Sequence, residues 1–186
     1  MDASDGGISI MSELRTNRIV PRDGLASGMS GGIIQVKSTT LTVPKQFNSG
    51  SAGNFTDVDG LSVSITPHRS DSKILLMCNI SGGLNDTHGY NFYWRILRGS
   101  TPICVATEGG GVGATGGFNR YKDNGSTGFL GCMANTFLDS PATTSSTTYK
   151  IQATGNDANA VVYINRRGAN NDYNMTSTIT AMEVSG

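Results

Sequence analysis

The sequence predicts an all-β fold, an antiparallel β-sandwich of jelly-roll type. Three observations predict it. Apolar and polar residues alternate over short runs, most clearly in "GLSVSITP", where Leu61, Val63 and Ile65 share one side of an extended chain and Ser62, Ser64 and Thr66 the other. Gly, Pro, Asn and Asp punctuate these runs as sheet turns require. No window shows the sustained i, i+3, i+4 apolar spacing of an amphipathic helix. At 186 residues the economical organisation is one domain with a sizeable core, preceded by an arm.

The arm comes first. "MDASDGGISI" reads as a flexible tail, and Met11 is a second candidate start. "MSELRTNRIVPRDGLASG", residues 11–28, is rich in charge for this chain, with Glu13, Arg15, Arg18, Arg22 and Asp23. Leu14, Ile19 and Val20 offer apolar surface to a partner, Arg15, Arg18 and Arg22 offer charge, and Pro21 stiffens the step into the Asp23-Gly24 turn. The cluster "SGMSGG" then reads as a hinge. Residues 1–31 are therefore expected to be a docking arm, and residues 32–186 the sandwich.

About nine strands are expected in order: "GIIQVKSTTLTVP", "GLSVSITP", "SKILLMCNIS", "YNFYWRILRG", "TPICVAT", "GFLGCMANTFL", "TTYKIQAT", "NAVVYINRR" and "TSTITAMEV". Two are apolar on both sides. Phe92, Trp94 and Ile96 oppose Tyr93 and Leu97, and Ile74, Leu76, Cys78 and Ile80 oppose Leu75 and Met77. A sandwich strand normally faces water on one side, so a cover over the outer face is expected, and a symmetric oligomer is the simplest one. Tyr93, Trp94 and Leu97 are the candidate interface residues.

Composition narrows the function. Charged residues make up 15%, formal net charge is zero, and 25 residues are Gly. Fourteen Lys and Arg in a neutral chain do not supply the positive stripe that phosphate binding needs, so nucleic acid is not an expected partner. No apolar run approaches the roughly 20 residues of a membrane-spanning helix, and no basic segment followed by an apolar one marks a secretory signal. Synthesis in a cytoplasm is the expectation. Cys78, Cys104 and Cys132 are too widely spaced for a zinc knuckle and read as buried thiols.

The chemistry on offer is thin. "GVGATG" has the dinucleotide-binding spacing, but the turn formers of "FNRYKDNGSTG" follow where a helix N-terminus is required, so no cofactor is expected. Asp57 and Asp59 in "FTDVDG" fail the calcium-loop pattern and read as a turn entering a strand, so no metal site is expected. With three Glu and two His, acid–base catalysis has few candidates. His68 reads as an exposed turn residue and His88 as a candidate contact. Five Asn-x-Ser/Thr triplets are discounted as compositional. No enzyme is expected, although eleven Asp keep a polysaccharide-degrading spike as a remote third reading.

Function is left to the loops. "EGGGVGATGGFNRYKDNGSTG" runs twenty-one residues without a strand pattern, and "RRGANNDYN" is basic, amide-rich and aromatic. Arg120, Tyr121 and Lys122 in the first, with Arg166, Arg167, Asn170, Asn171 and Tyr173 in the second, combine flat rings with planar polar groups suited to sugars or polar surfaces. Together with His88 they form the candidate receptor-contact set.

The ordered segments "GLSVSITPHRSDSKILLMCNISGG", "YNFYWRILRGSTPI", "FLDSPATTSSTTYKIQAT", "YINRRG" and "STITAMEV" resemble a C-terminal domain of virion structural and tail-fibre-like proteins of tailed bacteriophages, marine ones especially. "MSELRTNRIVPRDGL" with "GGIIQV" resembles the segment often placed ahead of it. The resemblance implies a non-enzymatic, homotrimeric β-sandwich exposed on a virion, assembled in the host cytoplasm beside other virion proteins. The leading expectation is a tail fibre or adhesin that recognises a host-surface glycan or protein. The alternative is a capsid decoration or head-fibre protein.

Overall fold

The computed structural model describes residues 32–49, 53–85, 91–107, 111–119, 130–168 and 172–185. Eleven strands appear among them: β1 (Ile33–Leu41), β2 (Lys45–Asn48), β3 (Thr56–Ile65), β4 (Lys73–Leu84), β5 (Asn91–Arg98), β6 (Thr101–Ile103), β7 (Gly116–Asn119), β8 (Gly131–Asp139), β9 (Thr147–Gly155), β10 (Val161–Ile164) and β11 (Ser177–Val184). Nine coincide with the expected segments. β2 and β7 are additions, and β7 lies inside the loop predicted to have no strand. All named strand pairings are antiparallel.

The pairing has a mirror order. β1 pairs with β11, β3 with β9, β4 with β8 and β5 with β7, so the first half of the chain runs back along the second. These pairs alternate between two sheets as the chain winds. The first sheet holds β1, β11, β4, β10 and β2 with β8 on the far edge of β4; the second holds β3, β9, β5 and β6 with β7 also on β5. A hairpin ribbon rolled over itself in this way is a jelly roll. β11 takes Lys73 to Asn79 of β4 and β10 takes Gly82 to Leu84, so these two strands lie end to end beside one partner.

Strict alternation builds the core between the sheets. Leu61, Val63 and Ile65 of β3 point inward as expected, meeting Ile74, Leu76 and Ile80 of β4, Phe92, Trp94 and Ile96 of β5, and Tyr149 and Ile151 of β9. Trp94 is fully buried and Leu97 is 3% exposed within the single chain. That corrects their assignment to an interface between copies. Trp94 has Gly116 as its register partner on β7, a position with no side chain to keep the indole out, and Leu97 sits between Pro102 and Lys150 in register. Tyr93 is half-buried, its Oη accepting a hydrogen bond from Asn91 Nδ2 at 3.0 Å.

The two outer faces differ in chemistry. Across the first sheet, one row reads Val36, Met182, Leu75, Leu138, the next Ser38, Thr180, Met77, Thr136, and the third Thr40, Thr178, Asn79, Ala134. None is ionisable. Across the second sheet runs a polar ladder: Arg95 Nε donates to Gln152 Oε1 at 2.9 Å, Gln152 Nε2 to Asp57 Oδ1 at 2.6 Å, and Lys150 Nζ to Asp57 Oδ2 at 2.6 Å. Asp57 is therefore spent on a lysine, as Asp59 is on Lys45 at 2.8 Å. Burial raises the Asp57 pKa, but hydrogen bonds from Lys150 and Gln152 outweigh it and hold the group below its ordinary value.

Candidate functional site

The loop between β10 and β11 begins on a residue built for it. Asn165 takes a positive φ of 62°, a conformation asparagine tolerates better than most side chains. Its side chain is fully buried: Nδ2 donates to the Leu41 carbonyl at 2.6 Å, and Oδ1 accepts from Ser177 Oγ at 2.6 Å. Ser177 Oγ in turn accepts from the Ser81 N–H at 3.0 Å. The backbone joins in, since Asn165 N–H donates to Ser81 and Met175 N–H donates to Asn165. Both ends of the loop are thereby tied to β1 and β4, and Arg166 bridges to Asn174 across it.

On this base sit two cation–ring pairs. The Arg166 guanidinium lies 4.6 Å from the Tyr163 ring centre, with Nη1 donating to Gln46 Oε1 of β2 at 3.3 Å. The Arg167 guanidinium lies 5.4 Å from the Tyr173 ring, and its Nη2 reaches Asp172 Oδ2 at 3.4 Å. Tyr173 is 65% exposed, so its ring is also open to solvent. Such an array offers flat stacking surface and planar hydrogen-bond donors, the chemistry of sugar and polar-surface contacts.

Three of the expected contact residues, Arg166, Arg167 and Tyr173, are thus brought together. Asn170 and Asn171, and likewise His88, Arg120, Tyr121 and Lys122, lie outside the described residues. So do Leu14, Arg15, Arg18, Ile19, Val20, Pro21 and Arg22. Tyr163 and Gln46 join the array without having been expected. Tyr163 was legible only as a strand residue, and nothing in a short segment such as "KQFN" announces that β2 runs beside β10.

A second concavity lies at the end of the second sheet. A cleft of about 330 Å³ is lined by Phe55, Tyr93, Val112, Ala114, Thr154 and Asn156 among others. The Arg95 guanidinium covers the Phe55 ring at 4.2 Å. "GVGATG" contributes Val112 and Ala114 to this wall and leads into β7, a strand, where a pyrophosphate site needs the start of a helix.

Several of the ionisable groups inside the sandwich are spent on structure. Arg98 Nη1 donates to both oxygens of buried Asp139, at 2.9 and 3.0 Å, and Tyr149 Oη donates to Oδ2 at 2.7 Å. Burial, with the Asp139 carboxylate beside it, pushes the Tyr149 phenol far above its ordinary pKa. Glu183 is fully buried, with the His68 N–H 2.7 Å from Oε1, and with His68 Nδ1 at 2.8 Å and Gln35 Nε2 at 2.6 Å from Oε2. His68, expected as a plain turn residue, is a half-exposed clasp on that carboxylate. Cys78 is buried, its thiol pushed up to about 12 by burial and the neighbouring Cys104; Cys132 corrects the buried-thiol reading, being exposed with Sγ 2.6 Å from Asn79 Oδ1.

No family model matches the chain, and no curated protein matches it. Solved structures do. One, described as the structure of infectious bursal disease virus Gt strain, is 14% identical with a TM-score of 0.44, covering 93% of this chain and 43% of its own. The Gx strain structure gives 14%, 0.40, 92% and 47%. The infectious bursal disease virus VP2 subviral particle gives 14%, 0.41, 90% and 42%. The chain spans less than half the length of these proteins, and at such identities and scores no function is carried across.

Proposed function

We propose that this chain is a virion structural protein, a jelly-roll building block on the outside of a virus particle, held there by residues 1–31. The mirror-ordered jelly roll carries the proposal. It is built from the same stretches whose order resembles the tailed-phage virion domain. Jelly rolls also serve lectins and cupins, so the fold alone does not choose among them. What favours a scaffold here is the use of the charges: Asp57, Asp59, Asp139 and Glu183 are each held by a cation or by several donors.

Within that reading the shell comes first: a capsid decoration or head-fibre protein that stabilises or ornaments the capsid, built as a homotrimer. The exposed Tyr173 beside Arg167 favours a second reading, a fibre or adhesin whose loop meets a host glycan or protein. A density map of intact particles separates the two by position and copy number. Removing residues 1–31 is expected to leave a folded protein that no longer joins particles. Particles that contain no copy of the chain overturn the proposal.

A further inference from the structure

The outer face of the first sheet has no charged group on its three central rows and gathers apolar side chains in the row from Val36 to Leu138, beside Ser, Thr and Asn in the other two. Of the eight large apolar residues exposed among the described ones, Ile33, Val36, Met77 and Leu138 all lie here, at 60%, 50%, 45% and 53%. Between them Leu75 and Met182 are only partly covered. The three rows from Val36 to Ala134 contain no acid or base, and the nearest ammonium, on Lys73, is turned to Ser140 Oγ at 2.9 Å. The outer face of the second sheet carries Asp57, Arg95 and Lys150 instead, so within one molecule only one face is treated as solvent-facing.

The edge of the same sheet is unguarded as well. β8 runs nine residues, pairs only with β4 among the described residues, and contains neither Lys nor Pro, the usual protections of an open strand edge. A groove of about 280 Å³ crosses the middle of the face beside Met77, Thr180 and Ala134, offering relief for interlocking side chains.

We propose that this face, bounded by Val36, Met182, Leu75, Leu138 and Met77, is covered by a second copy of this chain. Size is that of a small contact: four strands about 4.8 Å apart and the three uncharged rows about 6.8 Å apart, from Val36 to Ala134, project to about 400 Å². That is about half of the roughly 800 Å² per partner of a standard interface, and the open β8 edge beside it offers unpaired backbone groups to the same partner. Charge fits, because a surface without charge needs no complementary sign and accepts an identical neutral molecule. The chain's own segment 11–28 is the poorer occupant, since Glu13, Arg15, Arg18, Arg22 and Asp23 would meet no counter-charge on these rows. The contact does not depend on the particle assigned above.

The test is the mass of the full-length chain in solution, by sedimentation and native mass spectrometry at micromolar concentration. The wild type is expected to be an oligomer. Met77→Glu and Leu138→Lys are each expected to weaken association tenfold or more while keeping the wild-type circular dichroism and a cooperative melt; Ser62→Lys, on the second sheet's outer face, leaves the mass unchanged. A monomeric wild type overturns the proposal. So does an oligomer that survives both substitutions, or one that only Ser62→Lys dissolves. The particle assignment fails separately, by absence of the chain from particles.

Discussion

At the scale of single residues, the sequence's scarce charges do structural work. Glu183 shows this best, because a fully buried carboxylate is tolerated only when its oxygens are supplied with donors. Burial favours its neutral form, yet the hydrogen bonds from His68 and Gln35 win and hold its pKa below the ordinary glutamate value. A depressed folded-state pKa means that the stabilisation is present above the unfolded value of about 4.3 and is lost as pH falls through the folded one. Glu183→Gln should therefore lower the melting temperature at pH 7, and the gap from wild type should narrow towards pH 3. Parallel thermal melts at both pH values check this; a gap that stays constant would mean the charge is not what matters. Nothing in the sequence announced the clasp, since residues 68 and 183 sit far apart in the chain and meet only where Pro67 ends β3 beside β11.

At the scale of elements, the glycine-rich segment before β7 has an ordinary explanation. β7 reads Gly116, Gly117, Phe118 and Asn119 and lies against β5. A Cβ on Gly116 would stand 2.7 Å from Trp94 Nε1, and one on Gly117 would stand 2.5 Å from Tyr93 Cδ1. The pair of glycines lets β7 close over two aromatic residues, and Phe118 then stacks on Phe92 with ring centres 5.1 Å apart. Gly116→Ala should cost about 1–3 kcal/mol through overpacking. Urea denaturation monitored by Trp94 fluorescence measures it, and an unchanged midpoint would show that β7 does not hold the indole. Alternation made nine strands legible, because half-buried strands carry a period of two. β7 was not legible, since glycines leave no apolar period, and β2 is too short to show one. The same limit misled the reading of β5: two-sided apolarity was taken as an exposed face, whereas Leu97 is already covered in the single chain.

At the scale of the whole molecule, the jelly roll was legible from strand number and turn chemistry, while the uncharged outer face was legible only in part: Leu75 and Met77 stood out as the second apolar side of β4, and Val36, Met182 and Leu138 did not. That face is a property of four strands in register, from Val36 on β1 to Leu138 on β8, and register is set by tertiary pairing. Of the loop array, the Arg and Tyr of "RRGANNDYN" were visible as composition, but their seat was not. Because β10 and β11 lie end to end along one edge of β4, the chain between Asn165 and Ser177 leaves a single line of the sheet and returns to it. This makes the excursion an exchangeable cassette. A foreign peptide replacing residues 167–173, with Asn165 and Ser177 kept, should be displayed by an otherwise unaltered scaffold, its melting temperature within a few degrees of the parent. On that outcome the loop and the sandwich that carries it are separable parts of one molecule.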